Sequence, residues 1–418
     1  MNNRLIFLVC ILMNIFPATA LAQAGSENKL IEKLLRKQAP LFDSVLRHRK
    51  DWNVQILYSE INRKADGKVS FTDHRFNLDT GRYFYPASTV KLPVAILALQ
   101  KLHELNRPGL TMHTTMITGA DGDRQTEVCN DPNSPDGRPT IANYIKKILL
   151  VSDNDAYNRL YEFLGQEYIN TTLHRMGYRN VQIIHRLDIA LTEEENRHTN
   201  PVVFLDTAGK LVYFKPPERS AMTYANRNTR MGNGYMKNGT LVPEPFDFSK
   251  KNRITLPELH QLLKTIMYPE AVPARQRFLL DSADYALLRK YMSMYPGESV
   301  SPVYNRAEYP DAYCKFLYYG ADKTPAEPGL RIFNKVGDAY GFLLDAACIV
   351  DYTNNRELLV TAVIYCNSNG IFNDDHYDYN TIGLPFMKNL GRMLVDYERT
   401  KIRSAHAAFS PHVFHYRE

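Results

Sequence analysis

Several features that would assign this chain to a large functional class are missing from its sequence. It has no run of lysine or arginine interleaved with aromatic residues, and its net charge of +6 is spread along 418 residues, so we set nucleic-acid binding aside. No apolar stretch after the N-terminal residues is long enough to cross a bilayer. No Cys-x-x-Cys or His-rich spacing indicates a metal site. With 44% hydrophobic and 23% charged residues, the composition is that of a globular protein.

Cysteine is scarce as well, with five in the whole chain. Cys10 lies inside an apolar N-terminal run and lacks the small preceding residues of a lipidation site, which favours a soluble exported protein over a lipoprotein. Cys348 and Cys366 lie in adjacent strand-like runs, where they can either form a disulfide or remain buried free thiols.

The N-terminus has the three parts of a secretory signal. Arg4 provides a basic start, residues 5–16 form an apolar core that is too short for a membrane span, and residues 20–22 (Ala-Leu-Ala) form a small-x-small cleavage site. The predicted signal peptide is therefore residues 1–22, and the mature chain begins near Gln23. We expect a periplasmic or secreted protein without a stable membrane span.

The spacing of apolar residues predicts one mixed α/β (α+β) domain over residues 23–405, followed by a tail at 406–418. The predicted elements are helices at 29–49 (bent at Pro40), 88–99, 141–151, 155–164, 256–267, 282–294 and 381–399, and strands at 53–60, 69–78, 331–336, 341–350 and 358–365. This order predicts a five-stranded antiparallel sheet flanked by N- and C-terminal helices, with an all-helical lobe over about 86–330 and a cleft between the two. Within the lobe, about 206–330 is an enlarged insertion rich in tyrosine and proline, and much of it is predicted as loop.

A serine and a lysine stand three residues apart at the start of one predicted helix. Ser88 and Lys91 directly precede the apolar run at 92–99. Positions i and i+3 share a face of a helix, so the lysine amine can lie beside the serine hydroxyl and make it nucleophilic. The pair alone also fits a helix N-cap with a solvated lysine, so its interpretation depends on the rest of the chain.

Two further motifs follow in order along the chain. A Ser-Asp-Asn triplet at 152–154 ends a predicted helix, and a Lys-Val-Gly triplet at 335–337 lies on a predicted strand. Alone, they would be a polar turn and an exposed strand end. The ordered set resembles the serine β-lactamase and penicillin-binding-protein superfamily, and class A β-lactamases in particular, over about residues 29–400.

The resemblance implies a role for each motif residue. Ser88 would be the acylated nucleophile, and Lys91 would be its general base or proton shuttle. Ser152 would relay a proton to the leaving nitrogen, and Asn154 would hold a substrate amide. Lys335 would contact the substrate carboxylate.

The resemblance also implies that Gly337 is a substrate-binding residue and that an oxyanion hole lies beside it. The two donors of the hole would be the backbone N–H groups of Ser88 and of Asp338, the residue after the third motif. Val336 replaces the threonine or serine of the family, and the lost hydroxyl contact with substrate is worth about 0.5–1.5 kcal/mol.

Class A enzymes carry R-x-E-x-x-L-N on a loop beneath the nucleophile, where the glutamate activates the deacylating water. Residues 186–192 match this pattern with Asp188 in place of glutamate and Thr192 in place of asparagine. Asp188 is therefore predicted as the deacylation base, with a structural acid as the alternative. The usual acidic partner of the loop arginine is replaced by Arg197, so one of the glutamates at 193–195 is expected to substitute for it.

Three other polar features are interpreted without function. The acidic loop at 373–378 lacks the ligand spacing of a calcium site and is predicted as a solvated turn. His185 and His198 are taken as ordinary surface residues. The tyrosines of the insertion are expected to pack, or to roof the cleft.

These features predict an exported, monomeric serine hydrolase of the class A β-lactamase type, which needs no cofactor and no metal. Its partner would be a small-molecule β-lactam or a peptidoglycan-derived substrate. The alternatives are a D-alanyl-D-alanine peptidase or related cell-envelope amide or ester hydrolase, and a non-catalytic protein that binds peptidoglycan or β-lactams.

Overall fold

The computed structural model describes residues 29–64, 66–122, 124–402 and 414–416. Five strands form one antiparallel sheet in the order β3-β4-β5-β1-β2. The strands are β1 (Gln55–Arg63), β2 (Val69–Phe76), β3 (Leu330–Ala339), β4 (Phe342–Asp351) and β5 (Arg356–Tyr365). The predicted five-stranded sheet is confirmed. The predicted signal peptide and most of the predicted tail lie outside the described residues.

The centre of the sheet is covered on both faces, and strand alternation sorts its side chains between two cores. All ten residues of β4 are buried. Leu344 and Ala346 join a core shared with the helical lobe, whereas Leu343 and Ala347 join the core beneath the terminal helices. Strands that are buried on both faces have continuous apolar sequences, which explains why the hairpin of β4 and β5 could be predicted from the sequence.

Ten α-helices of five or more residues lie within the described ranges. They are α1 (Leu30–Lys37), α2 (Ala39–Arg47), α3 (Lys91–Leu105), α4 (Ile141–Val151), α5 (Asn154–Leu164), α6 (Gln166–Arg175), α7 (Glu193–Arg197), α8 (Leu256–Met267), α9 (Ser282–Ser293) and α10 (Leu384–Arg399). Helices α1, α2 and α10 cover one face of the sheet. Pro40 lies in the first turn of α2, so the predicted interruption of the N-terminal helix is confirmed.

Helix α3 runs through the interior of the lobe. Its residues 91–100 are all buried, which explains why its sequence is apolar on every side. A proline inside an α-helix removes a backbone hydrogen bond and bends the helix. The α-helix begins only at Lys91, so Pro93 lies in the first turn, where backbone N–H groups have no helical partner.

Much of the region predicted as loop forms small sheets instead. Thr115–Thr118, Val202–Leu205 and Leu211–Lys215 form a three-stranded antiparallel sheet. Seven other short strands form two two-stranded ladders and one three-stranded ladder. They lie at 198–199, 218–219, 230–231, 234–237, 240–242, 246–247 and 371–372. Strands of two to five residues have too little periodicity to be recognised in the sequence.

Three smaller features concern the cysteines, membrane spans and the C-terminal tail. Cys348 and Cys366 are buried free thiols, so no disulfide joins them. In the part of the chain that the structure describes, no helix has both the length and the hydropathy of a bilayer span. Tyr416 of the predicted tail packs on the domain, where its hydroxyl lies 2.9 Å from Ser293 Oγ and its ring 3.9 Å from the Arg331 guanidinium.

Candidate active site

Ser88 lies on a short 3₁₀ turn, Ala87–Val90, that leads directly into α3. The sequence had placed it on the α-helix itself. The turn is closed by Thr89, whose N–H and hydroxyl both donate to the Pro86 carbonyl, at 3.1 and 2.6 Å. Ser88 is half-buried. Lys91 Nζ lies 2.8 Å from Ser88 Oγ, so the predicted pairing of these two side chains is present.

Lys91 is a fully buried amine surrounded by oxygen atoms. Besides Ser88, its Nζ lies 2.5 Å from the Ser152 carbonyl, 3.2 Å from Ser152 Oγ and 2.6 Å from Asn154 Oδ1. Burial and then the charge of Lys335 hold the pKa of Lys91 well below its ordinary value. A neutral amine can donate to Ser152 O and Asn154 Oδ1 while its lone pair accepts from the Ser88 hydroxyl.

The second motif forms the junction between two helices. Ser152 ends α4 in a left-handed conformation, with φ of 59°, and its N–H donates to the Ile148 carbonyl. Asp153 then caps α5, because its carboxylate accepts the Ala156 N–H at 2.8 Å. The predicted helix start at residue 155 is one residue late, since Asp155 lies within the first turn of α5. The junction directs Ser152 and Asn154 to one side, where both reach Lys91.

Lys335, on β3, also contacts Ser152. Its Nζ donates to Ser152 Oγ at 2.7 Å and to the Val336 carbonyl at 3.0 Å. Burial lowers the pKa of Lys335 to about 8, although Cys314, Asp338 and Asp345 favour its charged form. Ser152 Oγ therefore lies between two amines, one on α3 and one on the sheet, and can pass a proton between them.

Gly337 allows β3 to approach the turn that carries Ser88. A Cβ at this position would lie 2.8 Å from the Pro86 carbonyl oxygen and 3.0 Å from the Ser88 nitrogen, closer than side chains pack. Asp338 follows on the same strand. Partial desolvation by its surroundings raises the pKa of its carboxyl, and the nearby charges of Lys335 and Lys91 only partly oppose this.

These elements border a cavity of about 450 Å³. Its walls are formed by Tyr85, Ala87, Ser88, Asn154, Leu187, Asp188, Asp338, Ala339, Tyr340, Asn373, Asp375 and Tyr377. Five of these non-glycine residues have left-handed backbones, with φ between 46° and 60°: Ala87, Asp188, Tyr340, Asn373 and Asp375. Strained conformations of this kind concentrate at functional sites because the surrounding structure holds them in place.

The segment before Asp188 is fastened to α5. The Leu187 N–H donates to Asn158 Oδ1, and Asn158 Nδ2 donates to the Leu187 carbonyl, both at 2.9 Å. Asp188 itself is exposed at the cavity wall, and its carboxylate lies 3.4 Å from Asn154 Nδ2. Asp188 thus shares the cavity with Ser88 and remains accessible to water.

The loop arginine has a partner that the sequence did not indicate. Arg186 donates to Glu162 of α5 at 2.6 Å, and the Glu162 carboxylate also accepts the Asn200 N–H at 2.6 Å. Both side chains of the pair are almost fully buried. The expectation that a glutamate at 193–195 replaces the missing partner is wrong, although the Glu195 carbonyl accepts a hydrogen bond from Arg186. One buried ion pair therefore joins both ends of the loop at 186–200 to α5.

A family model described as the beta-lactamase enzyme family (Beta-lactamase2) matches residues 54–279, more than half of the chain. The chain belongs to this β-lactamase family. The matched region includes the first two motifs and Asp188, whereas the Lys-Val-Gly motif lies beyond it. Family membership and fold together make the protein a serine β-lactamase-like hydrolase.

Solved β-lactamase structures resemble this member of the family. The enzyme from Desulfarculus baarsii DSM 2075 is 16% identical, with 87% of this chain and 98% of that chain covered and a TM-score of 0.46. The class A β-lactamase from Clostridium kluyveri DSM 555 is 13% identical, with 85% and 97% covered and a TM-score of 0.46. A comparison with curated proteins returns no match.

Part of the cavity wall of this β-lactamase family member was not foreseen. The acidic loop at 373–378, predicted as a solvated turn, contributes Asn373, Asp375 and Tyr377 to the cavity. His185 is not an ordinary surface residue, because burial lowers its pKa to about 4 and its ring stacks on Tyr85. No local pattern in the sequence joins residue 375 to residue 88.

Aromatic residues of the insertion pack against residues of the cavity wall. Phe246 and Phe248 pack on Tyr340, with ring centroids 5.5 and 5.4 Å apart, and Tyr340 in turn packs on Tyr85 at 5.0 Å. Of the described residues at 206–330, none lines the cavity. Phe246 and Phe248 therefore pack, as the first of the two expectations proposed, and the roof over the cleft stays a prediction.

One cluster of potential metal ligands lies outside this cavity. His103, Asp281 and Asp284 bring ligand atoms within 4.8 Å of one another. Both carboxylates already accept N–H groups at the start of α9, where they form a capping box. A helix cap and a histidine–aspartate pair account for this cluster without an ion.

Gly337→Ala is expected to reduce the rate of Ser88 acylation by at least about a hundredfold, the effect of losing one oxyanion donor. The added methyl group must displace the turn at Ser88, because the Pro86 carbonyl oxygen is only 2.8 Å from its position. Intact mass spectrometry against time measures this rate. Gly122→Ala is the matched control, since its Cβ would make only ordinary contacts. Equal acylation rates for the two variants would contradict the close approach.

Proposed function

We propose that the protein is an exported class A-type β-lactamase, in which a β-lactam acylates Ser88 and water then hydrolyses the ester. The observation that carries this proposal is the fully buried Lys91 amine, whose Nζ lies 2.8 Å from Ser88 Oγ. A serine with an adjacent neutral amine has the base that acyl transfer requires.

Acylation begins with proton transfer from Ser88 Oγ to Lys91 Nζ. The oxygen attacks the lactam carbonyl carbon, and the backbone N–H groups of Ser88 and Asp338 stabilise the developing oxyanion. As the C–N bond breaks, the leaving nitrogen takes a proton from the Ser152 hydroxyl, which recovers one from Lys91, 3.2 Å away, and so returns Lys91 to its neutral form. Asn154 binds the substrate amide.

Lys335 supplies the cation for the substrate carboxylate. Its Nζ already donates to Ser152 Oγ at 2.7 Å, so substrate binding and proton transfer meet at one hydroxyl. Val336 is buried and offers no hydroxyl to the same carboxylate. Substrate recognition therefore depends more on Lys335 here than in relatives with threonine or serine.

Deacylation requires a base within the cavity that can activate a water molecule. We assign this role to Asp188, which shares the cavity with Ser88 and is exposed enough to hold a water molecule. The departure from the family glutamate favours a second candidate function, a D-alanyl-D-alanine peptidase-like enzyme with slow release of β-lactams.

One experiment separates these possibilities. The purified mature protein is incubated with a chromogenic cephalosporin and a fluorescent penicillin, and its intact mass is followed with time. Rapid turnover supports a β-lactamase, and a lasting adduct on Ser88 supports the peptidase-like function. Folded protein that shows neither signal, or a Ser88→Ala variant that still forms the adduct, contradicts acylation at Ser88.

Export is tested separately. Expression of the full chain in a bacterial host, followed by fractionation and N-terminal sequencing, is expected to give a periplasmic protein that begins near Gln23. Retention of the uncleaved chain in the cytoplasm would contradict a signal peptide at residues 1–22.

A further inference from the structure

The cavity wall carries an excess of negative charge. Of its twelve lining residues, three are aspartates and none is lysine or arginine. Asp188 and Asp375 are exposed on the loops at 186–200 and 373–378, and Asp338 lies at the end of β3. A wall of this kind is unexpected next to a site that binds a substrate carboxylate.

The charge of these carboxylates is only partly compensated. Asp188 accepts one long hydrogen bond, 3.4 Å from Asn154. The Asp338 side chain is exposed to the cavity; partial desolvation by its surroundings raises the pKa of its carboxyl, and the charges of Lys335 and Lys91 oppose this. An opposite charge a few ångströms from a carboxylate favours its charged form, so a substrate cation beside these exposed aspartates would be stabilised.

Aromatic rings stand beside the carboxylates. Tyr85, Tyr340 and Tyr377 line the same cavity, and Tyr85 and Tyr340 meet edge to face at 5.0 Å. Carboxylates combined with aromatic faces are the chemistry that recognises ammonium groups. Lys251 contacts Tyr340, with Nζ 5.8 Å from the ring, but it is not among the lining residues.

We propose that this wall selects substrates whose acyl side chain carries a protonated amine, with Asp338 and Asp375 supplying the charge and Tyr340 and Tyr377 the aromatic surface. The inference rests on the proposed function, because it concerns the substrate of the same cavity. Such a substrate is zwitterionic: its carboxylate binds near Lys335, and its amine lies at the acidic wall.

Three penicillins test the proposal because they differ at one carbon of the acyl side chain. Ampicillin carries an amine there, benzylpenicillin a hydrogen and carbenicillin a carboxylate. Near pH 6.5 the amine is largely protonated. We expect kcat/KM to fall in that order, by about 1.5- to fivefold per step, as for partly exposed ion pairs.

Asp375→Asn should reduce the ratio of kcat/KM for ampicillin to kcat/KM for carbenicillin about threefold. Asp338→Asn should reduce the same ratio, whatever its effect on the absolute rate. Asparagine suits the left-handed backbone of residue 375, where φ is 60°. Asp51→Asn removes the same charge from an exposed site outside the cavity and should leave the ratio unchanged. Binding of the three compounds to a Ser88→Ala variant by calorimetry gives the same comparison without chemistry.

The outcomes distinguish the two proposals. The amine preference alone is overturned if benzylpenicillin is hydrolysed as fast as ampicillin. It is also overturned if both aspartate variants leave the ampicillin-to-carbenicillin ratio of kcat/KM unchanged. Failure of all three penicillins to acylate or bind the folded protein overturns the proposed function, and the inference with it. A preference that weakens as salt is raised from 0.05 to about 0.5 M would support its electrostatic origin.

Discussion

Replacing Lys91 with methionine is expected to slow acylation of Ser88 by about 10²–10⁴-fold, the usual contribution of a general base. Methionine fills a similar buried volume but cannot accept the Ser88 proton. The change also removes the donor to Asn154 Oδ1 and the Ser152 carbonyl, so some loss of stability accompanies it. Stopped-flow or quenched mass measurement of adduct formation gives the rate.

Lys101→Met is the matched control for this experiment. Lys101 is another largely buried amine of α3, whose pKa burial lowers to about 8, and its Nζ donates to the Phe163 carbonyl at 2.9 Å. It does not line the cavity. If both variants lose acylation rate to a similar extent, the loss results from removing a buried amine of α3 and not from removing a base beside Ser88.

The pH dependence of acylation follows from the two lysines. In the proposed mechanism the neutral form of Lys91 is the base, so kcat/KM should rise with pH through a pKa well below that of an ordinary lysine. In the same mechanism protonated Lys335 binds the substrate carboxylate, so kcat/KM should fall as pH passes about 8. A profile that rises steadily to pH 10 would contradict both assignments.

Asp188→Asn is expected to trap the acyl-enzyme, with deacylation slowed by about 10²–10⁴-fold and acylation little changed. Asparagine keeps the shape of the side chain and tolerates the left-handed backbone at residue 188, where φ is 56°. Only the basic oxygen is lost. A burst of product followed by slow turnover, with the adduct visible by mass, would be the expected signature.

Glu193→Gln provides the comparison for Asp188. It removes a negative charge from the same loop, where Glu193 pairs with Lys250 at 2.7 Å and does not line the cavity. This variant should turn over like the parent enzyme. Unchanged deacylation in Asp188→Asn would remove Asp188 from the mechanism and leave it as a structural acid of the cavity wall.

The sheet and the long helices could be predicted from the sequence because their patterns are local. Strands β4 and β5 appear as apolar runs separated by a turn, and α4 has the predicted bounds of Ile141–Val151. The short strands within the insertion are stabilised by pairing with distant segments, such as Ile371–Phe372 with Gly234–Lys237. Such pairings produce no periodic pattern in the sequence of either strand.

The same distinction applies to the site. Ser88, Lys91, Ser152, Asn154 and Lys335 were found because three short motifs carry them, and the structure brings all five together. Glu162 and Asp375 belong to no motif. Their positions depend on how α5 and the loop at 373–378 pack against the rest of the chain, which only three-dimensional contacts reveal.

The five left-handed residues of the cavity wall restrict how this enzyme can acquire new substrates. A β-branched or bulky side chain in that backbone region costs about 1–2 kcal/mol, whereas glycine, asparagine and aspartate fit at little cost. Selection for altered specificity therefore has few accessible substitutions at Ala87, Asp188, Asn373 and Asp375. Adaptive changes should instead accumulate at wall positions with ordinary backbones, such as Leu187, Asp338 and Tyr377.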